Sequence, residues 1–251
     1  LTRCLRHILL VSVFTAGVAL AETPDCPCPT PPPGPPPPWS GSAEFSFLST
    51  SGNTSTESIG GALETDYKAA PWGAVFKAAY LRASTNAVLT AEQFDASLKG
   101  SRDLTERVSV FVGTGYLKNR FAGLNSLISG EAGAGYKILA GPEHLLGAEA
   151  GLGYVRENRL TGGNRSYVSG RAGLSYKWQF SKSAAFTNDL SYLHDFGDLS
   201  NWTISEKAAI TADLTSVFAL KASYGLLYRN EPVPTFRKTD TVTAVAIVAK
   251  F

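Results

Sequence analysis

The sequence predicts an all-β protein, a transmembrane antiparallel up-and-down β-barrel of about twelve strands within a range of ten to fourteen. Three observations carry that expectation. From Trp39 onward the residues alternate with a period of two, as in strands that have one apolar and one wet face. The apolar parity carries aromatic residues at its ends, where a bilayer interface favours them. The prolines fall between the alternating runs, where no ladder hydrogen bond is lost.

Composition narrows the alternatives. The 251 residues are 44% hydrophobic and 18% charged, with 24 Gly, 14 Pro, 3 Cys and no Met. Removing Arg3 and Arg6 with a cleaved leader takes the 23 basic residues to 21, equal to the 21 acidic ones. A neutral chain with interspersed signs has no basic face for phosphates, so nucleic acid is not an expected partner. The longest apolar run, Ile8 to Leu20, spans 13 residues and falls short of the roughly 20 that a membrane-spanning helix needs.

Residues 1–21 read as a secretory signal, with a basic start, the apolar run and Ala19-Leu20-Ala21 as the cleavage site. Residues 22–38 hold ten of the fourteen prolines and form a polyproline spacer, on the order of 45 Å if fully extended. Cys26 and Cys28 would be the thiols remaining after cleavage. Outside the cytoplasm they could form a local disulfide or an intermolecular bridge. The arm could therefore reach peptidoglycan or a periplasmic protein.

Twelve alternating runs follow, at 39–50, 55–68, 72–84, 91–102, 107–118, 126–139, 144–155, 166–180, 184–195, 202–213, 217–229 and 238–251. In the eighth, Val168, Gly170, Ala172, Leu174, Tyr176, Trp178 and Phe180 oppose Ser169, Arg171, Gly173, Ser175, Lys177 and Gln179. Runs of this length suit tilted strands crossing a bilayer, which take about 9–11 residues plus some projection. With the linker in the periplasm and an even strand count, both ends of the barrel domain, 39–251, face the periplasm. The connections on that side are short, and those near 51–54, 85–90, 119–125, 156–165, 196–201 and 230–237 face outward.

The motifs Ser51-Gly52-Asn53-Thr54, Asn119-Arg120-Phe121-Ala122-Gly123-Leu124, Gly133-Ala134-Gly135-Tyr136-Lys137, and Asn230-Glu231-Pro232-Val233-Pro234 through Lys238-Thr239-Asp240-Thr241 stand in this order. With them, residues 39–251 resemble the YdiY-like salt-induced outer-membrane proteins, a family defined by domain of unknown function 481. The chain departs from the family at Arg120, where an Asp is usual. The resemblance implies fold and an outer-membrane location, with no enzymatic activity and no cofactor. The terminal Phe251, with Ile247 and Val245 on its face, resembles the signal read by the barrel-assembly machinery; outer-membrane lipid is the other expected partner.

Enzyme chemistry has one candidate. His194-Asp195, with Asp198 three residues on, could activate water at the outer rim, as in a surface hydrolase. The expectation nevertheless is no catalytic and no metal site. The inward parity holds the more informative set: Glu44, Glu64, Asp66, Asp95, Glu131, Glu149, Asp189 and Asp240 against Lys77, Lys99, Lys137, Arg171, Lys177, Lys207, Lys221 and Arg229. Twelve strands lie between a solid eight-stranded interior and a sixteen-stranded water channel. A small channel, or an envelope component under salt or osmotic stress, is expected, with a structural barrel carrying a partner-binding arm as the alternative. Asp189 is expected between Lys177 and Lys207, making a cationic constriction with mild anion preference. Apolar Val242, Ala244, Ala246 and Val248 on the inner side of the last strand break the pattern.

Overall fold

The computed structural model describes residues 37–50 and 56–251. The leader 1–21, the linker as far as residue 36 and the 51–54 motif lie outside the described residues. Twelve strands follow in chain order: β1 Trp39–Thr50, β2 Thr56–Ala69, β3 Trp72–Thr85, β4 Val88–Asp103, β5 Val108–Asn119, β6 Leu124–Ala140, β7 His144–Arg159, β8 Arg165–Ser181, β9 Ala184–Asp195, β10 Trp202–Asp213, β11 Phe218–Arg229 and β12 Thr239–Lys250. Each pairs antiparallel with its chain neighbours, and β12 returns to β1, so the sheet is a closed ring. The expected strand number, order and topology hold.

Side chains sort across this wall in the reverse of a soluble core. Phe45, Phe47, Val112, Leu152, Val245 and Ile247 point outward and are each more than half exposed. Among the described residues only Leu124, Val155, Val233 and Asp195 are large side chains with under 2% exposure. Rings gather at two levels of the outer face. Trp39 lies 4.7 Å from Tyr67 at the terminal end of the barrel, where β1 begins and β12 finishes. Trp202 lies 5.2 Å from Tyr228, and Phe94 6.1 Å from Tyr116, at the opposite, loop end. An apolar band between two aromatic girdles is the surface of a barrel that spans a bilayer.

The ring closes at a short ladder, Ser42–Phe45 against Ile247–Lys250. Beyond it Gly41 N–H donates to Phe251 C=O (2.8 Å) and Phe251 N–H to Gly41 C=O (3.0 Å). A Cβ at Gly41 would lie 2.6 Å from the Phe251 ring and 2.9 Å from the Glu64 carbonyl oxygen, so this crossing admits only glycine. Gly41→Val should therefore open the seam and lower the temperature at which the barrel loses its compact mobility on unheated gels.

Several loop-end connections are shorter than expected. The one placed at 85–90 is a two-residue turn, because Asn86 and Ala87 both take positive φ (50° and 62°), the backbone of a tight hairpin. The 156–165 connection contracts to 160–164, since Glu157 pairs with Arg165 and the ladder continues past the girdle. The polar residues there lack the alternation that marks strands from sequence. Alanine in the left-handed region costs roughly 1–2 kcal/mol. Ala87→Gly should recover about 1 kcal/mol, read as a higher urea midpoint for unfolding from vesicles.

Candidate functional site

The inward face encloses a cavity of about 580 Å³. Its wall includes Glu64, Lys77, Lys99, Glu131, Glu149, Arg171, Asp189 and Lys207, interleaved with serines and glycines. Most of these charges are paired, one pair between neighbouring strands and two across intervening ones. Lys77 meets Glu64 at 3.2 Å, Lys99 meets Glu149, and Arg171 meets Glu131. The Arg171 Nε also donates to Ser191 Oγ (3.1 Å).

Small inward residues make these reaches feasible. Arg171 on β8 and Glu131 on β6 meet over β7, where Gly151 and Gly153 are their register partners. Phe111 lies against Gly133, whose added Cβ would come within 2.8 Å of the ring, and Lys99 Nζ sits 4.3 Å above the ring centre. The apolar inner side of β12 has the same explanation. Lys221 on β11 meets Glu44 on β1 at 2.5 Å, crossing β12 at the level of Ala246 and Val248, both buried. A larger side chain there would block the ion pair.

The remaining predicted residues are placed differently. Asp95 accepts from Gln93 Nε2 (3.2 Å), and Gln93 Oε1 accepts from Asn119 Nδ2 (3.0 Å). Asp189 faces Lys207 across the β9–β10 ladder as expected, but on its other side it faces Ser175. Lys177 pairs instead with Thr187. The cationic constriction is thus not formed. The reason is the tight β8–β9 turn, where a register irregularity between Trp178 and Ser181 slides Lys177 toward the terminal end. The four acids and four bases named on the cavity wall balance.

His194 and Asp195 do not form a dyad either. Successive strand residues face opposite sides. His194 stacks outside on Tyr192, ring centres 6.2 Å apart, while Asp195 is buried inside. Asp195 accepts from Arg165 Nη2 (2.9 Å), Asn201 Nδ2 (3.0 Å) and the Gly197 amide (2.8 Å). Among the described residues no cluster of three or more His, Cys, Asp or Glu is arranged to hold a metal ion.

The 230–238 connection forms a strap across the loop end. A Cβ at Gly123, which has φ +77°, would lie 2.7 Å from Val233 Cβ and 2.8 Å from the Phe236 ring. Gly123 follows β5 and Val233 follows β11, six strands away in a ring of twelve, so their contact spans the mouth. Leu160 N–H donates to Gly123 C=O (2.9 Å), and Thr161 Oγ1 donates to Pro234 C=O (3.3 Å). Arg165 ties the near side, holding Asp195, Asp198 (2.7 Å) and Glu231 (3.3 Å) with one guanidinium. Beneath it Glu157, almost wholly buried, accepts from Arg159 and from Tyr167 Oη (3.1 Å). The Asn119 side chain, which caps the Arg120–Ala122 3₁₀ turn by accepting from the Ala122 amide (3.0 Å), links the strap's far anchor to Asp95.

Residues 43–251 match a family model described as "Protein of unknown function, DUF481". The chain belongs to this family. Uncharacterized protein YdiY of Escherichia coli strain K12 is 26% identical over 149 residues, covering 59% of this chain and 58% of YdiY. Solved structures similar to it include an outer membrane channel from Pseudomonas putida F1, at 12% identity over 85% of this chain and 95% of that one, TM-score 0.49. The NanC porin is similar at 10% identity over 84% and 97%, TM-score 0.48. So is the translocator domain of the autotransporter NalP from Neisseria meningitidis, at 11% over 85% and 87%, TM-score 0.45. Within this DUF481 chain, the motifs Asn119–Leu124 and Asn230–Pro234 are the two anchors of the strap, meeting across the mouth.

One titration bears on the strap's near side. Hydrogen bonds from Ser200, then the Arg165 guanidinium, hold the Asp198 carboxyl down from 3.8 to about 2. A depressed folded value adds stability above the unfolded one and loses it as pH falls from about 4 through 2. The amides of Gly197 and Ser200 should exchange faster with deuterium over that window, and Asp198→Asn should flatten the dependence.

Proposed function

We propose that this protein is an outer-membrane barrel that passes small polar solutes or ions through its lumen, with the 230–238 strap restricting the outer mouth. The observation that carries the reading is the serine- and glycine-lined cavity of about 580 Å³ inside a wall whose outer face is apolar. In this reading the start of β1 and the end of β12 face the periplasm and the strap faces outward. Phe251 is then the strand signal offered to the barrel-assembly machinery, and residues 22–38 reach toward peptidoglycan or a periplasmic protein. A role under salt or osmotic stress is what the family resemblance supports.

Permeating ions would pass within a few Å of side chains paired with one another, so the lumen offers a polar path with little net sign. The strap holds a strained turn. Phe236 N–H donates to Val233 C=O (3.0 Å) across Pro234 and Thr235, and Thr235 takes φ +76°, a position that glycine normally fills. Such strain costs of order 1–3 kcal/mol and biases the turn toward release.

In a planar bilayer the wild type should show small, infrequent openings with a reversal potential near zero across a salt gradient. Replacing 232–236 by a Gly/Ser segment should raise conductance several-fold. Thr235→Gly, which relieves the closed turn, should make openings rarer. No conductance from either the wild type or the strap replacement would overturn the channel reading in favour of a structural barrel with a partner-binding arm.

A further inference from the structure

Between the two girdles, the outward face of the described strands carries a single carboxyl and a single side-chain amide. Glu206 stands on β10 below Trp202, with Leu190 and Leu226 as its register partners on either side. Asn188 stands on β9 between Phe186 and Tyr192, and its Nδ2 donates to Glu206 Oε1 at 2.8 Å. Around them the outer wall is apolar. Leu190, Ile210 and Leu220 are each 38% exposed or more.

A carboxyl facing hydrocarbon at mid-depth is costly, and no polar group of a lipid reaches that level to solvate it. The bond within the chain uses only part of what the two side chains offer. One N–H and the carbonyl oxygen of the Asn188 amide remain, with the second oxygen of Glu206. Since each copy shows a free donor beside free acceptor oxygens, a two-fold axis through this patch would let each free N–H meet a Glu206 oxygen opposite. The patch is thus self-complementary, which a closed dimer requires of its interface.

We propose that the β9–β10 wall is the contact between two copies of this chain in the membrane, sealed at its centre by a reciprocal Asn188–Glu206 hydrogen-bond ring with Leu190 and Leu226 packed around it. The pairing is independent of whether the lumen conducts. It gives a lipid-facing polar pair a dry, hydrogen-bonded environment, the setting in which such groups persist in membrane proteins.

The test uses the full chain with its cysteines changed to Ser, in native membranes and after mild detergent extraction. Leu190→Cys should give a disulfide-linked species at twice the protomer mass. Leu98→Cys, outward on β4 and five strands from β9 around the ring, should not. Sedimentation should find a dimer for the wild type and a monomer for Asn188→Leu combined with Glu206→Leu, the double variant keeping its heat-modifiable gel mobility as proof of folding. A monomeric wild type, equal cross-linking at Leu98→Cys, or a cross-link from Leu190→Cys to a different polypeptide would each overturn the proposal.

Discussion

A sheet immersed in hydrocarbon has no water to satisfy the N–H and C=O groups of an edge, and that constraint organises this molecule. The last strand must find the first. It does so at the Ser42–Phe45 ladder and the reciprocal Gly41–Phe251 bonds. Closure fixes which face of every strand is inside. It also makes each local choice answer to the whole ring, since a one-residue slip anywhere would turn ion-pairing residues toward lipid. The bulk of Phe251 beside Gly41 shows how little slack the joint has.

Once the ring is closed, its inner wall must hold charge without collapsing or filling. The chain does this by giving the charged side chains bare wall to cross. Glycines on β7 lie under the Arg171–Glu131 pair, and the small side chains of β12 lie under Lys221–Glu44. These partly exposed pairs contribute modestly to stability individually. Their geometric effect is larger, because each ties strands that are not neighbours in the ring. The strap does the same at the mouth, with an apolar anchor at Gly123 on one side and the Arg165 guanidinium on the other.

The strands were legible because alternation is a local property and the outer face repeats it twelve times. The girdles and the proline positions were legible for the same reason. What the sequence concealed depends on relations between strands. The place of Lys177 turned on a register irregularity in the β8–β9 turn, which alternation does not reveal. The strap was concealed as well, although both of its anchor motifs were conspicuous. Nothing local says that segments over a hundred residues apart meet across an opening. The inner side of β12 looked anomalous until its neighbours' long side chains were placed over it. Asn188 and Glu206 were readable from parity alone, as polar residues on an apolar face.

The central claim is that loops from opposite sides of the ring meet over a polar lumen. Cysteines at Gly123 and Val233, in a chain whose other cysteines are serine, test it most directly. A Cβ at Gly123 would lie 2.7 Å from Val233 Cβ, nearer than the about 3.8 Å a disulfide spans, so the strap must draw back, with the Phe236 ring at 2.8 Å moving too and a cysteine held at φ +77°. Mild oxidation in native membranes should link the two positions in nearly every folded molecule and cut conductance. Two thiols that stay unpaired and react freely with a membrane-impermeant maleimide, in a barrel that keeps its heat-modifiable mobility, would contradict the account.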